Sequence, residues 1–140
     1  MTAYDRALKL LAMREHSAKE IESKLAAKGY DDTEIAEAIG KLISENSLSD
    51  RRFAYAYVRS RMRKNPEGRP ILRMRLREKG ISSDTAEAVL SEFWDDEEYL
   101  PFLRNCAEEL IGKKGHDGAR AVLLRKGFRD SEIRTAMQEE

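Results

Sequence analysis

The amino-acid sequence predicts an all-α fold in which three three-helix repeats follow one another in an elongated, curved array. Three observations point to this fold. Apolar residues recur at helical spacing, no segment alternates apolar and polar residues as a strand would, and one Lys-Gly-apolar step occurs three times. The 140 residues are 41% hydrophobic and 37% charged, with only three prolines and eight glycines. That composition is typical of a folded helical protein.

The repeated step centres on Gly29, Gly80 and Gly127. A lysine precedes each glycine, and an apolar residue follows it: Tyr30, Ile81 and Phe128. A leucine stands four positions before each glycine: Leu25, Leu76 and Leu123. Glycine adopts the left-handed conformation that ends a helix in a Schellman motif, in which the following residue packs against the last turn. The pattern therefore predicts three helix ends of one kind.

A new helix is expected to start directly after each of these ends. Polar residues that accept hydrogen bonds from free helix amides stand three positions after the glycines. These candidate N-cap residues are Asp32, Ser83 and Asp130. Each repeat therefore contains a helix, a tight turn and a second helix, preceded by a longer helix.

The first repeat is assigned to residues 1–47. Its first helix is predicted to run from about Ala3 to His16, with an apolar stripe formed by Leu8, Leu11 and Ala12. Ser17 is then followed by Glu20 at the spacing of a capping box.

The second repeat is assigned to residues 48–94. Its first helix begins after Ser49-Asp50 and carries Phe53, Tyr57, Val58 and Met62 on one side. The helix ends at residues 65–68, and Pro70 fits the first turn of the next helix. Trp94 is expected to pack in the core and not to serve as an exposed stacking platform.

The third repeat is assigned to residues 95–140. Its first helix is expected to start near Pro101 and to carry Leu103, Ala107, Leu110 and Ile111. The helix is expected to stop at residues 112–115, and residues 112–118, which include Gly112, Gly115 and Gly118, are predicted to form a connector. This glycine-containing segment lacks the Gly-Lys-Ser/Thr ending of a P-loop and follows no predicted strand.

The sequence offers no candidate catalytic residue, metal site or cofactor site. Cys106 is the only cysteine and is expected to be a buried structural thiol. His16 and His116 are far apart in the sequence and have no acidic or cysteine partner at metal-ligand spacing. No segment has the length and hydropathy of a signal peptide or a membrane span, so a cytoplasmic protein without membrane association is expected.

Charge is concentrated in the second repeat, although the formal net charge of the chain is zero. Residues 51–79 contain eleven Arg or Lys and two acids, which leaves an excess of +9. Six arginines of this segment lie at helical spacing on two predicted helices: Arg52, Arg59 and Arg63, and Arg69, Arg73 and Arg77. Ordinary surfaces mix charges of both signs, so this pattern favours an anionic partner, either phosphates or an acidic protein surface.

A sequence-specific helix-turn-helix protein is the nearest alternative, because helices joined by tight turns occur in each repeat. The charges argue against that alternative. The second helix of each pair would enter the major groove, yet residues 33–45, 84–93 and 131–140 carry net charges of −2, −3 and −2. Non-specific contact with DNA phosphates through the arginines remains the alternative function.

Several short motifs together resemble the RecX family, and the likeness extends over nearly the whole chain. Arg14 and Ser17 match the family's Arg-x-x-Ser step, and Asp50 begins a segment that matches its Asp-x-x-Phe-Ala step. The motifs lie in residues 7–17, 25–30, 48–54 and 68–81. Two positions depart from the family pattern: Asn46 stands where glycine is common, and Arg75 stands where an acid is common.

The resemblance implies a non-enzymatic protein of three tandem three-helix repeats, and we expect a monomer. It also implies a protein that binds RecA filaments on DNA and mainly inhibits ATP hydrolysis, strand exchange and repressor self-cleavage. The six arginines of the second repeat are the candidate contacts to RecA or to DNA phosphates. Asn46 tolerates the left-handed conformation, so this departure is compatible with the fold.

Overall fold

The computed structural model describes residues 1–139 and places them in eight helices without any strand. The first repeat contains α1 (Ala3–Met13), α2 (Ala18–Ala27) and α3 (Asp32–Ser44). The second contains α4 (Asp50–Lys64), α5 (Arg69–Glu78) and α6 (Ser83–Asp95). The third contains α7 (Tyr99–Arg125) and α8 (Asp130–Met137). The all-α prediction is confirmed.

The long helix α7 is interrupted at Gly115, whose backbone angles of φ 76° and ψ 177° are not helical. The interruption divides α7 into two helical segments, so the third repeat has three helical segments, like the other two. Gly115 lies within the predicted connector of residues 112–118, but the other residues of that segment are helical, so most of the predicted connector is wrong. The helix begins at Tyr99, two residues before the predicted start at Pro101.

The three glycine helix ends have the predicted geometry. Gly29, Gly80 and Gly127 have φ values of 91°, 83° and 93°. In each case the apolar residue after the glycine donates its amide to the leucine carbonyl. The N···O distances are 3.3 Å from Tyr30 to Leu25, 3.0 Å from Ile81 to Leu76 and 3.2 Å from Phe128 to Leu123. These are Schellman motifs.

The third helix of each repeat also ends in the left-handed conformation, although no glycine is present. Asn46, Glu97 and Gln138 have φ values of 60°, 56° and 59°. Asn46 thus replaces the glycine without changing the turn, as the sequence predicted.

The predicted N-cap residues of the helices that follow the glycines are wrong by one position. The side chain of Asp31, not Asp32, accepts the amide of Glu34, and Ser82, not Ser83, accepts the amide of Thr85. In the third repeat Arg129 stands at the N-cap instead of Asp130 and makes no side-chain cap hydrogen bond. The error arises because the Schellman turn uses only the residue after the glycine, so the next helix starts earlier.

The predicted apolar stripe of α1 is also wrong. The fully buried residues of this helix are Ala3 and Ala7, whereas Leu8 is 37% exposed and Ala12 is exposed. Small alanine side chains allow α1 to approach its neighbours closely, and Leu10 and Leu11 cover the edge of the core. The larger apolar residues dominated the sequence pattern, although the close contact is made by the small ones.

Two separate hydrophobic cores organise the molecule. The first repeat has its own core, which includes Ile21, Leu25 and Leu42, and Leu48 from the predicted start of the second repeat packs into it. The second and third repeats share the other core, which runs from Phe53 in α4 to Ala136 in α8. The first repeat therefore joins the remainder mainly through polar contacts.

Trp94 lies in the shared core and is only 6% exposed, as predicted. Its indole Nε1 donates a hydrogen bond to the buried carboxylate of Glu132 in α8. Its ring stacks on that of Tyr99, with a centroid distance of 5.0 Å. Ile43, the matching residue of the first repeat, is 53% exposed. Trp94 is buried because the third repeat packs over this position.

Cys106 is partly buried against the shared core, whereas the sequence predicted a buried thiol. Burial raises the pKa of its thiol, as expected for a structural cysteine. Among the helices of residues 1–139, none combines the length and the apolar character needed to cross a membrane.

Candidate partner-binding surface

The arginines of the second repeat lie on the outer faces of α4 and α5. Phe53, Ala54, Val58 and Met62 turn one side of α4 into the shared core, and Leu72 and Leu76 do the same for α5. The other side chains of the two helices, most of which are basic, therefore face solvent or neighbouring repeats.

Two of the three candidate arginines on α4 contact other repeats. Arg52 donates from Nε to Glu15 at 3.0 Å and from its two terminal nitrogens to the side chain and backbone oxygens of Asn46. Arg59 lies 3.7 Å from Glu98, and its guanidinium is 5.9 Å from the ring centre of Phe102. Both residues help to join adjacent repeats.

Two of the candidate arginines on α5 are also engaged by acids. Arg69 lies 4.0 Å from the carboxylate of Glu132 and 5.4 Å from the ring centre of Trp94. Arg73 forms a two-contact ion pair with Glu87 of α6, and this pair lowers the pKa of Glu87. The acidic residues that follow the basic segment in the sequence therefore fold back onto it.

Arg63 and Arg77 are exposed, as is Arg59, but unlike Arg59 they lie away from any acid of the described residues. Neither makes an ion pair within residues 1–139. The predicted set of six arginines therefore separates into four that are engaged inside the chain and two that face solvent without a paired acid.

A buried ion cluster that the sequence did not predict lies beneath these helices. Glu67 is 5% exposed and accepts hydrogen bonds from Arg61 and Arg75. Burial alone would raise the pKa of Glu67, but the hydrogen bonds from Arg75 and Arg61 outweigh burial and lower the pKa. Arg75, which departs from the family pattern, thus has a structural partner. The signal for this cluster in the sequence was the position of Glu67, an acid within a strongly basic segment.

The residues of the Arg-x-x-Ser and Asp-x-x-Phe-Ala steps form the joint between the first two repeats. Ser17 and Glu20 form a capping box at the start of α2, as predicted, and Arg14 pairs with Glu20 at 3.2 Å. Asp50 of α4 accepts the amide of Ala18 at 2.8 Å. The sequence identified these residues as motif positions but did not reveal that they meet.

His16 lies beside this joint and is buried. Its Nδ1 is 3.0 Å from the carbonyl oxygen of Arg14, and its Nε2 is 2.9 Å from Nζ of Lys24. Burial lowers its pKa, and the nearby cations act in the same direction. A neutral imidazole that donates from Nδ1 and accepts from Lys24 satisfies both contacts. Within the described part of the chain, no group of three or more His, Cys, Asp or Glu residues is placed to hold a metal ion.

Comparison with known proteins decides the family. The model of the RecX first three-helix domain matches residues 3–42, and that of the RecX second three-helix domain matches residues 49–90. The chain belongs to the RecX family. The two matched segments coincide with the first two repeats of the structure.

Relatives named regulatory protein RecX align with almost the whole chain. The protein from Prosthecochloris aestuarii is 36% identical over 144 residues, which cover 98% of this chain and 92% of that protein. The protein from Bacillus subtilis is 34% identical over 142 residues, covering 97% of this chain but 54% of that protein. The chain thus spans nearly all of some RecX relatives and about half of others.

Solved RecX structures have the same fold. The crystal structure of RecX from Lactobacillus salivarius superposes with a TM-score of 0.79 at 29% identity, covering 97% of this chain and 92% of that one. A second RecX crystal structure has the same TM-score at 24% identity, over 98% of this chain and 72% of that one. The likeness includes the third repeat, which the two family models do not match.

Proposed function

We propose that this chain is a non-enzymatic, monomeric, cytoplasmic regulator that binds RecA filaments on DNA and restrains ATP hydrolysis, strand exchange and coprotease activity. Membership of the RecX family supports a regulatory role. The observation that carries the proposal is the excess of nine positive charges between residues 51 and 79, on the repeat that lies in the middle of the chain.

The mechanism follows from the tandem arrangement. A row of repeats along a filament groove contacts more than one RecA subunit. A ligand that binds one filament state better than another shifts the equilibrium toward that state. Bridged subunits therefore resist the movements that ATP turnover and strand exchange require, and no catalytic group of this chain is needed.

The six arginines contribute to this interface in two ways. Arg63 and Arg77 are free to meet acidic RecA side chains or DNA phosphates directly. Arg52, Arg59, Arg69 and Arg73 hold their own helices in place and keep part of their guanidinium groups exposed. Charge complementarity of this kind controls association rate and partner choice more than fold stability.

Arg63 and Arg77 are the residues to test. Reversing Arg69 would place a second negative charge beside the buried Glu132 and disturb the fold, whereas Arg63→Glu with Arg77→Glu changes exposed positions only. We expect this double variant to retain its circular dichroism and to lose most of its inhibition of RecA ATPase on single-stranded DNA.

The matched control is Lys9→Glu with Lys28→Glu in the first repeat. Both lysines are exposed and make no ion pair within residues 1–139, so the change in charge is the same. We expect the control to inhibit like the wild type. Full inhibition by the arginine variant, or loss of inhibition by the lysine control, would contradict the assigned surface. No effect of the wild type at stoichiometric ratios would contradict the proposed function itself.

A further inference from the structure

The turn after α4 and the turn after α7 are joined through backbone contacts. The amide of Gly68 donates to the carbonyl oxygen of Lys126 at 2.8 Å. The ammonium group of Lys126 donates in turn to the side-chain oxygen of Asn65. A β-carbon added to Gly68 would lie 2.1 Å from the carbonyl oxygen of Gly127, so the two chains touch without an intervening side chain. The second and third repeats are therefore held in a fixed relation here.

Basic side chains gather around this contact. Six of them lie within two positions of the joined residues, and one of the six, Arg69, pairs with Glu132. The other five form what we name the junction cluster: Arg63, Lys64, Arg125, Lys126 and Arg129. None of the five makes an ion pair within the described range of residues 1–139, and all except the partly buried Lys126 are exposed. Acidic neighbours are already engaged, since Glu67 is held by Arg61 and Arg75, and Asp130 by Arg120 and Arg134.

Helix ends account for four members of the cluster but not for the fifth. Arg63, Lys64, Arg125 and Lys126 stand near the carboxyl ends of α4 and α7, where cations interact favourably with the helix dipole. Arg129 stands at the opposite kind of helix end, as the N-cap of α8. A cation is unfavourable there, and arginine is not among the preferred N-cap residues.

The other two repeats show what this position otherwise holds. Asp31 and Ser82 occupy the matching sites, and each side chain accepts an amide hydrogen bond from its helix. Arg129 gives up that hydrogen bond, and the capping of α8 is left to Glu132, which accepts the amide of Arg129 at 2.7 Å. A residue that breaks a local rule without a stabilising contact in return indicates a functional role.

We propose that the junction cluster binds the phosphate groups of a DNA strand without reading the bases. Its cations come from two turns that are rigidly joined, so successive phosphates meet a preformed surface. The two segments expose no aromatic side chain, since Phe128 is buried, and protein interfaces are usually centred on such anchors. Unpaired Lys and Arg side chains around a fixed backbone suit the phosphate contacts that position a protein on nucleic acid.

The test measures DNA binding by the full chain without RecA, so its outcome is independent of the proposed regulation of RecA. The probe is a fluorescein-labelled oligothymidylate, and anisotropy gives the dissociation constant over a range of salt concentrations. Arg125→Gln with Arg129→Ser removes two cations and restores the kind of N-cap found at Ser82. We expect the slope of log Kd against the logarithm of the salt concentration to fall by about 1.4, since each phosphate contact on a single strand contributes about 0.7 to that slope.

Stability and a distant control separate binding from folding. Because serine caps a helix better than arginine does, the variant should melt at the wild-type temperature or above it. Lys9→Gln with Lys28→Gln removes the same charge from the first repeat and should leave the salt dependence unchanged. An unchanged affinity and salt dependence in the Arg125 and Arg129 variant would overturn the proposal.

Discussion

Asp50, the first residue of α4, accepts a hydrogen bond of 2.8 Å at its Oδ1 atom from the backbone amide of Ala18, the first residue of α2. The first helix amides have no partner within their own helix. Here one of them is satisfied by the next repeat, while Ser17 satisfies the amide of Glu20. The start of one helix is thus tied to the start of another across the joint.

Replacing Asp50 by alanine should therefore weaken the joint. We expect Asp50→Ala to lower the free energy of unfolding by about 1 kcal/mol, as for other lost helix caps. Urea denaturation followed by circular dichroism measures the change. Asp50→Asn keeps an oxygen acceptor and should retain most of the stability. Equal midpoints for wild type and the alanine variant would show that the contact does not stabilise the fold.

Two glycines should respond to alanine for different physical reasons. Gly29 has a φ of 91°, and nothing lies within 4 Å of an added β-carbon, so Gly29→Ala introduces backbone strain alone. We expect it to cost about 1 kcal/mol. Gly68 has an ordinary φ of −76°, but its β-carbon would collide with the backbone of Gly127. We expect Gly68→Ala to cost about 2 kcal/mol or more, because backbone must move.

Thermal melting of the two variants checks this order. Gly40 offers the control, since it lies within α3 with open space around it. Gly40→Ala should raise stability by about 1 kcal/mol through helix propensity. A smaller loss for Gly68→Ala than for Gly29→Ala would contradict the close contact between the second and third repeats.

Glu97 offers the opposite kind of substitution. It ends α6 in the left-handed conformation, with a φ of 56°, and its side chain is exposed. Glycine adopts this conformation without steric cost. We expect Glu97→Gly to raise the free energy of unfolding by about 0.5 kcal/mol or more, after allowance for the greater freedom of glycine in the unfolded chain. A lower melting temperature for this variant would contradict the assigned helix end.

The helix ends could be predicted from sequence because their causes are local. The glycine, the leucine four positions earlier and the apolar residue one position later all belong to one turn, and the amide of Tyr30 meets the carbonyl oxygen of Leu25 as expected. The N-cap position failed by one residue for a local reason as well, since both Asp31 and Asp32 are good caps. Propensity alone does not choose between adjacent aspartates.

The state of the arginines could not be predicted, because their partners are distant in the sequence. Arg52 meets Glu15 across 37 positions, and Arg59 meets Glu98 across 39. Helical spacing showed which arginines share a face, but only the packing of the repeats shows which acids reach that face. The sequence therefore predicted the charge of the second repeat correctly and could not separate Arg63 and Arg77 from the engaged residues.

The buried carboxylate of Glu67 should give the fold a measurable dependence on pH. Its pKa is lower in the folded protein than the usual value of about 4.3, because Arg61 and Arg75 favour the charged form. A lowered pKa means that the stabilising contribution is fully present above about pH 4.3 and is lost as the pH falls through the folded-state value. Glu67→Gln removes this contribution and leaves two arginines without their acid. We expect the variant to lose about 1.5–3 kcal/mol at pH 7, the range for hydrogen bonds to charged groups. The difference in the free energy of unfolding between the variant and wild type should shrink as the pH falls below about 4, and urea denaturation at successive pH values measures it.

Glu22→Gln, at an exposed position without an ion pair in the described residues, is the control and should follow the wild-type profile. A constant difference between Glu67→Gln and wild type from pH 7 down to pH 3 would show that the loss is one of packing and not of charge.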